Sequence, residues 1–143
     1  TYQEGCTRSS ALFPGIADVL SRLDAAGIGW GIVTNKRERF TAPLLRILGL
    51  TTRSVCVVSG DSTPYMKPDP APLHLAATLC RTAPEACVYV GDAETDVQAA
   101  QAAGMRSIVA LFGYIPPLAA PTQWGADHAV EAPSDLLRIL GLS

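Results

Sequence analysis

Three times in this chain a short apolar run breaks off into a polar cluster. Ile28 to Val33 runs into Thr34-Asn35-Lys36, Val55 to Val58 into Ser59-Gly60-Asp61, and Val88-Tyr89-Val90 into Gly91-Asp92. Between these runs the apolar spacing turns helical. Ile16, Val19, Leu20 and Leu23 keep the i, i+3, i+4, i+7 rhythm of one helix face, and Gly27 follows as a natural stop. Phe40, Leu44, Ile47 and Leu48 predict a second helical face ending at Gly49, with Pro43 kinking that helix or sitting in its first turn. Asp69 and Pro70 open a third helix carrying Leu73, Ala76, Ala77 and Cys80, and Val97, Ala100 and Ala103 line a fourth that Gly104 ends. Ser107 to Leu111 and His128 to Val130 read as further strands, and Ser134 reads as the cap of a last helix with Leu137 and Leu140 inward. Strands alternating with helices imply right-handed crossovers and an α/β fold: a Rossmann-like parallel sheet with helices on both faces. The working edge of such a sheet lies at the carboxyl ends of its strands.

Composition narrows what such a domain does. At 143 residues, 48% hydrophobic and 17% charged, the chain can bury one core. Its net charge of −2 offers no basic field for nucleic acid, and no apolar run approaches the ~18 residues of a membrane span. Thr1 to Gln3 begin no basic or apolar leader. Cys6, Cys56, Cys80 and Cys87 lack the Cys-x-x-Cys spacing of metal and redox sites, so they read as free thiols in a reducing cytoplasm. Thr1 to Ser10, polar and without a core period, read as a linker or as the end of something removed. His74 on a helix and His128 at a strand start read as solvent-facing or satisfied, and Trp30 as core.

Thr34, Asn35, Gly60, Asp61, Lys67, Asp92 and Asp96 lie far apart in sequence, yet all but Lys67 and Asp96 sit at or just past the carboxyl end of a predicted strand, and Asp96 falls one helical turn on from Asp92. Lys67 stands in a loop stiffened by Pro64, Pro68, Pro70 and Pro72. A threonine hydroxyl, backbone N–H groups and a lysine suit the oxygens of a phosphate. In Asp92-Ala93-Glu94-Thr95-Asp96 the i, i+4 spacing puts two carboxylates on one side of a helical turn, where they can share a magnesium ion or simply cap the helix. Asp61 has two readings as well: a hydrogen-bond partner for the lysine or a cap loop, or the end of a turn.

Val33-Thr34-Asn35-Lys36, Lys67-Pro68-Asp69-Pro70 and Gly91-Asp92-Ala93-Glu94-Thr95-Asp96 resemble, in order and spacing, the second, third and fourth motifs of haloacid dehalogenase-superfamily phosphatases. Phe13-Pro14-Gly15, Gly60-Asp61 and Phe112-Gly113-Tyr114 strengthen a likeness to the phosphoglycolate phosphatase branch. The resemblance implies a magnesium-dependent phosphatase that hydrolyses a small phosphate monoester, such as 2-phosphoglycolate, through an aspartyl-phosphate. It further implies that Thr34 and the Asn35 backbone bind phosphate, with Gly60 and Asp61 beside them. Lys67 would steady phosphate and nucleophile, Asp92 would ligate magnesium, and Asp96 would support metal or lysine.

One motif of that family is missing. No Asp-x-Asp occurs anywhere in the sequence, so the nucleophilic aspartate and the general acid are absent. The resemblance therefore implies a C-terminal part of a longer protein, inactive alone, with residues 1–10 as the tail of a cap domain and 11–143 as the core. A phosphosugar mutase of the same superfamily and a catalytically silent binding domain are the alternatives. Family topology would place the absent first strand between Ile28–Val33 and Val88–Val90. Direct pairing of those two strands is the expected repair, because it restores ladder hydrogen bonds without a second chain.

Overall fold

A computed structural model of the chain describes residues 15–47, 49, 54–112 and 120–142. The cap-tail expectation for residues 1–10 lies outside them, as do Gly113 and Tyr114. Five helices and five strands are described: α1 (Ile16–Ala25), β1 (Ile32–Val33), α2 (Glu38–Ile47), β2 (Val57–Val58), α3 (Ala71–Leu79), β3 (Val88–Gly91), α4 (Glu94–Ala103), β4 (Arg106–Ala110), β5 (His128–Val130) and α5 (Pro133–Ile139). All pairings among the strands are parallel.

Side-chain alternation sorts the core into two layers, as a period of two requires. Ile32 and Ile108 join Trp30, the inner face of α1 and the Leu136–Leu137 face of α5 in one apolar cluster. Val33, Val58, Tyr89 and Met105 pack with α3 and α4 in the other. The helices thus cover both faces, and the expected α/β architecture is present.

Several local expectations shift. The β1 ladder is regular only at Ile32–Val33, although Val55 N–H donates to the Trp30 carbonyl (2.8 Å) and Ile32 N–H to that of Cys56 (3.0 Å), so pairing with β2 begins earlier. In α2 the predicted inward residues Phe40 and Ile47 are exposed and Leu45 is buried, while the side chain of Leu44 and residue Leu48 lie outside what is described. Pro43 lies inside this helix, not in its first turn. Ser134 lies within α5, whose N-cap residue is Ala132. Pro133, with its φ preset for a helix start, sets that boundary two residues earlier.

The main correction concerns the sheet. Among the described residues β1 pairs with β2, and β3 pairs with β4, which pairs with β5; no ladder joins β1 to β3. The expected direct pairing does not form. Instead an apolar cavity of about 260 Å³ opens between the two half-sheets, lined among others by Leu20, Trp30, Val88, Val90 and Leu136.

Candidate active site

Five polar side chains are buried at the carboxyl ends of β1, β2 and β3 and in the loop after β2: Thr34, Ser59, Lys67, Asp92 and Asp96. Burial of so many polar groups demands partners, and for Thr34, Lys67 and Asp96 the hydrogen bonds show them. Lys67 Nζ lies 2.5 Å from Asp96 Oδ1 and donates to the Tyr89 hydroxyl at 2.8 Å. The Tyr89 hydroxyl in turn stands 3.4 Å from the Val33 carbonyl and 3.3 Å from Asp96 Oδ1. The phenol thus spans from β3 to the end of β1, at the mouth of the interval where no ladder exists.

Asp96 uses its second oxygen locally. Oδ2 accepts from the backbone N–H groups of Asp92 and Ala93, each at 3.1 Å, and so satisfies donors at the start of α4. Gly91 makes this possible by close approach, since a Cβ at that position would overlap the Asp96 side chain. Burial opposes charge on Lys67, but the Tyr89 oxygen and the Asp96 carboxylate outweigh it and hold the lysine pKa above its usual range. The ammonium is locked in its charged form.

The loops around this centre are tied to one another. Lys67 N–H donates to Asn35 Oδ1 (3.0 Å) and Asn35 Nδ2 donates back to the Lys67 carbonyl (3.3 Å), so one asparagine side chain clasps the lysine's backbone. Thr34 Oγ1 accepts from Lys36 N–H at 3.2 Å. Gly60 N–H donates to the Lys36 carbonyl at 2.7 Å, and a Cβ on Gly60 would overlap the Asn35 carbonyl. The Asp61 carboxylate accepts from Glu38 N–H (3.0 Å) at the start of α2, a role that neither of its two sequence readings named. Asp69 Oδ1 accepts from Ala71 N–H at 2.9 Å and starts α3.

The geometry brings Lys67 and Asp96 together and sets Asp92 beside them, while Gly60 and Asp61 stand on the rim as loop-fixing residues. Asp92 presents a hard carboxylate oxygen at a strand exit, the donor type magnesium prefers. Asp96, by contrast, commits its oxygens to the lysine, the phenol and two amides. Among the described residues no three His, Cys, Asp or Glu side chains group into a metal site. His74 and His128 are exposed and take no part.

Tyr89 was not legible as a site residue. Its one signal is a hydroxyl in the middle of an otherwise apolar buried strand, where a polar atom must find a partner. Tyr89→Phe should lower unfolding free energy by about 1–3 kcal/mol in a urea titration, because the lysine keeps Asp96 but loses a hydroxyl acceptor in a dry site.

A family model described as haloacid dehalogenase-like hydrolase matches residues 3–104. The phosphoglycolate phosphatase of Xylella fastidiosa is 46% identical over 126 residues, which is 88% of this chain and 55% of that protein. The N-acetylmuramic acid 6-phosphate phosphatase of Pseudomonas putida is 37% identical over 139 residues, 97% of this chain and 62% of that protein. A crystal structure of a predicted phosphoglycolate phosphatase from Haemophilus somnus superposes with a TM-score of 0.83 at 29% identity, covering 90% of this chain and 57% of the other. The chain thus spans little more than half the length of the relatives it matches. Three motifs in order, a buried lysine–aspartate pair at the strand ends and a family model covering most of the sequence agree: this chain belongs to the haloacid dehalogenase-like hydrolases.

Proposed function

We propose that the chain is the C-terminal part of a magnesium-dependent phosphatase acting on a small phosphate monoester, with 2-phosphoglycolate as the leading substrate. The observation that carries this reading is the buried Lys67–Asp96–Tyr89 centre beside the break between β1 and β3. A cation fixed at that point faces the place where an upstream strand would deliver a nucleophilic aspartate. Thr34 and the Asn35 backbone, with Lys67, hold the phosphate oxygens, and Gly60 and Asp61 keep the rim in register. Asp92 is the magnesium ligand of this chain. Asp96 steadies the lysine, the role that its two occupied oxygens favour over metal binding.

Lys67 does two things in this scheme. It lowers the cost of bringing an anionic carboxylate toward an anionic phosphate, and it stabilises the charge that builds on the transferring group. Magnesium, when bound, neutralises further phosphate charge and orients the group for in-line attack. Partners are small phosphorylated molecules. A cytoplasmic setting fits the free cysteines, and among the described residues no helix is long and apolar enough to cross a membrane.

The test compares this chain with the complete open reading frame on 2-phosphoglycolate, N-acetylmuramic acid 6-phosphate and a hexose phosphate. The complete protein should release inorganic phosphate, and this chain alone should release none. Asp92→Ala in the complete protein should cut turnover by about 10²-fold or more and weaken magnesium binding in calorimetry. Hydrolysis by the chain alone, untouched by Asp92→Ala, would overturn the proposal.

A further inference from the structure

Two thiols on opposite sides of the Lys67 loop meet in the core. Cys56 Sγ and Cys80 Sγ lie 3.7 Å apart, and Cys56 Sγ also points at the Ala76 carbonyl (3.9 Å) near the end of α3. Cys56 immediately precedes β2 and is buried, whereas Cys80 follows α3 and is half-buried. The Cys56 thiol is seated rather than loose: it occupies space that a Cβ on Gly31 would fill. Cys87 lies near Cys80, but its thiol donates to the Ala83 carbonyl at 3.4 Å. A disulfide has a bond of about 2 Å, so closing the Cys56–Cys80 pair needs an approach of roughly 1.7 Å, within reach of side-chain rotation and a small shift at the end of a helix.

We propose that Cys56 and Cys80 form an intramolecular disulfide when the chain meets a hydroperoxide, and that this bond clamps the segment carrying Ser59, Gly60, Asp61 and Lys67. The chemistry balances in two steps. The Cys80 thiol gives up its proton and its sulfur attacks the peroxide O–O bond, taking one oxygen as a sulfenic acid while the alkoxide or hydroxide leaves with a proton. The Cys56 thiol then loses its proton and attacks the Cys80 sulfur, forming the S–S bond and expelling water. Two sulfurs are oxidised by one electron each, and one peroxide is reduced by two. The order follows from access: Cys80 is partly open to solvent, whereas burial first and the neighbouring Cys80 second push the Cys56 thiol up to about 12.

The bond ties together residues 24 apart in sequence. It therefore restricts the unfolded chain more than the native one, and the native loop it closes is the one that positions Lys67. The experiment takes the reduced chain, freed of reductant, and treats it with a small excess of hydrogen peroxide. Intact mass should fall by two hydrogens, and peptide mapping should place the link between Cys56 and Cys80. The melting temperature should rise by roughly 5–10 °C and return on adding dithiothreitol. Cys80→Ala should abolish both the link and the rise, while Cys87→Ala and Cys6→Ala should leave them. A link mapped to Cys6 or Cys87, or Cys80 advancing to sulfinic acid with no link in the folded wild-type chain, would overturn the proposal.

Discussion

Lys67→Met should destabilise the folded chain by about 3–5 kcal/mol, measured by chemical denaturation at neutral pH. Sequence alone suggests a mild change, because methionine roughly preserves the volume of lysine. The structure says otherwise: both side chains of the Lys67–Asp96 pair are almost wholly shut off from solvent, at 0% and 2% exposure. Removing the ammonium leaves a carboxylate buried beside a phenol with no cation to balance it. The double substitution Lys67→Met/Asp96→Asn should recover much of the loss, since the amide oxygen can still accept from the N–H groups at the start of α4. A single substitution costing less than about 1 kcal/mol would mean that water reaches the pair. The pH dependence has a definite sign. A lysine whose folded pKa is raised contributes stability that is complete below its ordinary value of 10.5 and fades as pH climbs through the higher folded value, so the contribution disappears only in strongly alkaline solution. In the complete protein the same substitution should also abolish most turnover.

Filling the interval between β1 and β3 should produce the other large effect. Enclosed apolar voids cost about 24 cal/mol per Å³ in a protein core, so a cavity of about 260 Å³ sets a ceiling near 6 kcal/mol, to which regained ladder hydrogen bonds add. The complete open reading frame should therefore unfold at a higher denaturant concentration than this chain, by an equivalent of several kcal/mol. Filling the same space from within gives a second measure: a larger apolar side chain at Val90, which lines the cavity, should stabilise this chain yet destabilise the complete protein. Stabilisation of both would show that nothing from upstream occupies the interval.

The sequence made the order of elements and the placement of the polar clusters legible, because each rests on local rules. A period of 3.6 gave way to short apolar runs, and every run ended on residues that cap or turn. Thr34 and Asp92 stood out on that basis, Asp96 by its spacing from Asp92, and Lys67 by the prolines around it. What stayed hidden depends on contacts between distant segments. Asn35 was read as a backbone donor for phosphate, whereas its side chain clasps Lys67, thirty-two residues away. Asp61 serves the start of α2, a choice its neighbours in sequence do not determine. Tyr89 looked like core, since pattern registers its ring and not its hydroxyl. The outward face of α2 was misjudged because Phe40 and Ile47 keep helical spacing without being buried, and spacing does not say whether a partner lies opposite. The split of the sheet was the hardest to foresee. Whether two strands far apart in sequence pair directly is a property of the assembled layers, which no local pattern records.

The stitching of the rim has a further consequence for any ligand that binds there. Asn35 grips the Lys67 backbone, Gly60 holds Lys36, and Asp61 holds the first amide of α2. Loops at a sheet edge ordinarily surrender conformational freedom when they close on a ligand, at about 1–2 kcal/mol for each residue whose backbone becomes fixed. Here that ordering is complete before the ligand arrives. A small anion carries few atoms with which to offset such a loss, so a site for it has to be preorganised by the protein's own hydrogen bonds. If the proposed phosphate site lies here, rigidity of this rim would be part of its affinity, and the Asn35 and Asp61 side chains would act on binding through entropy, without needing to touch the ligand themselves.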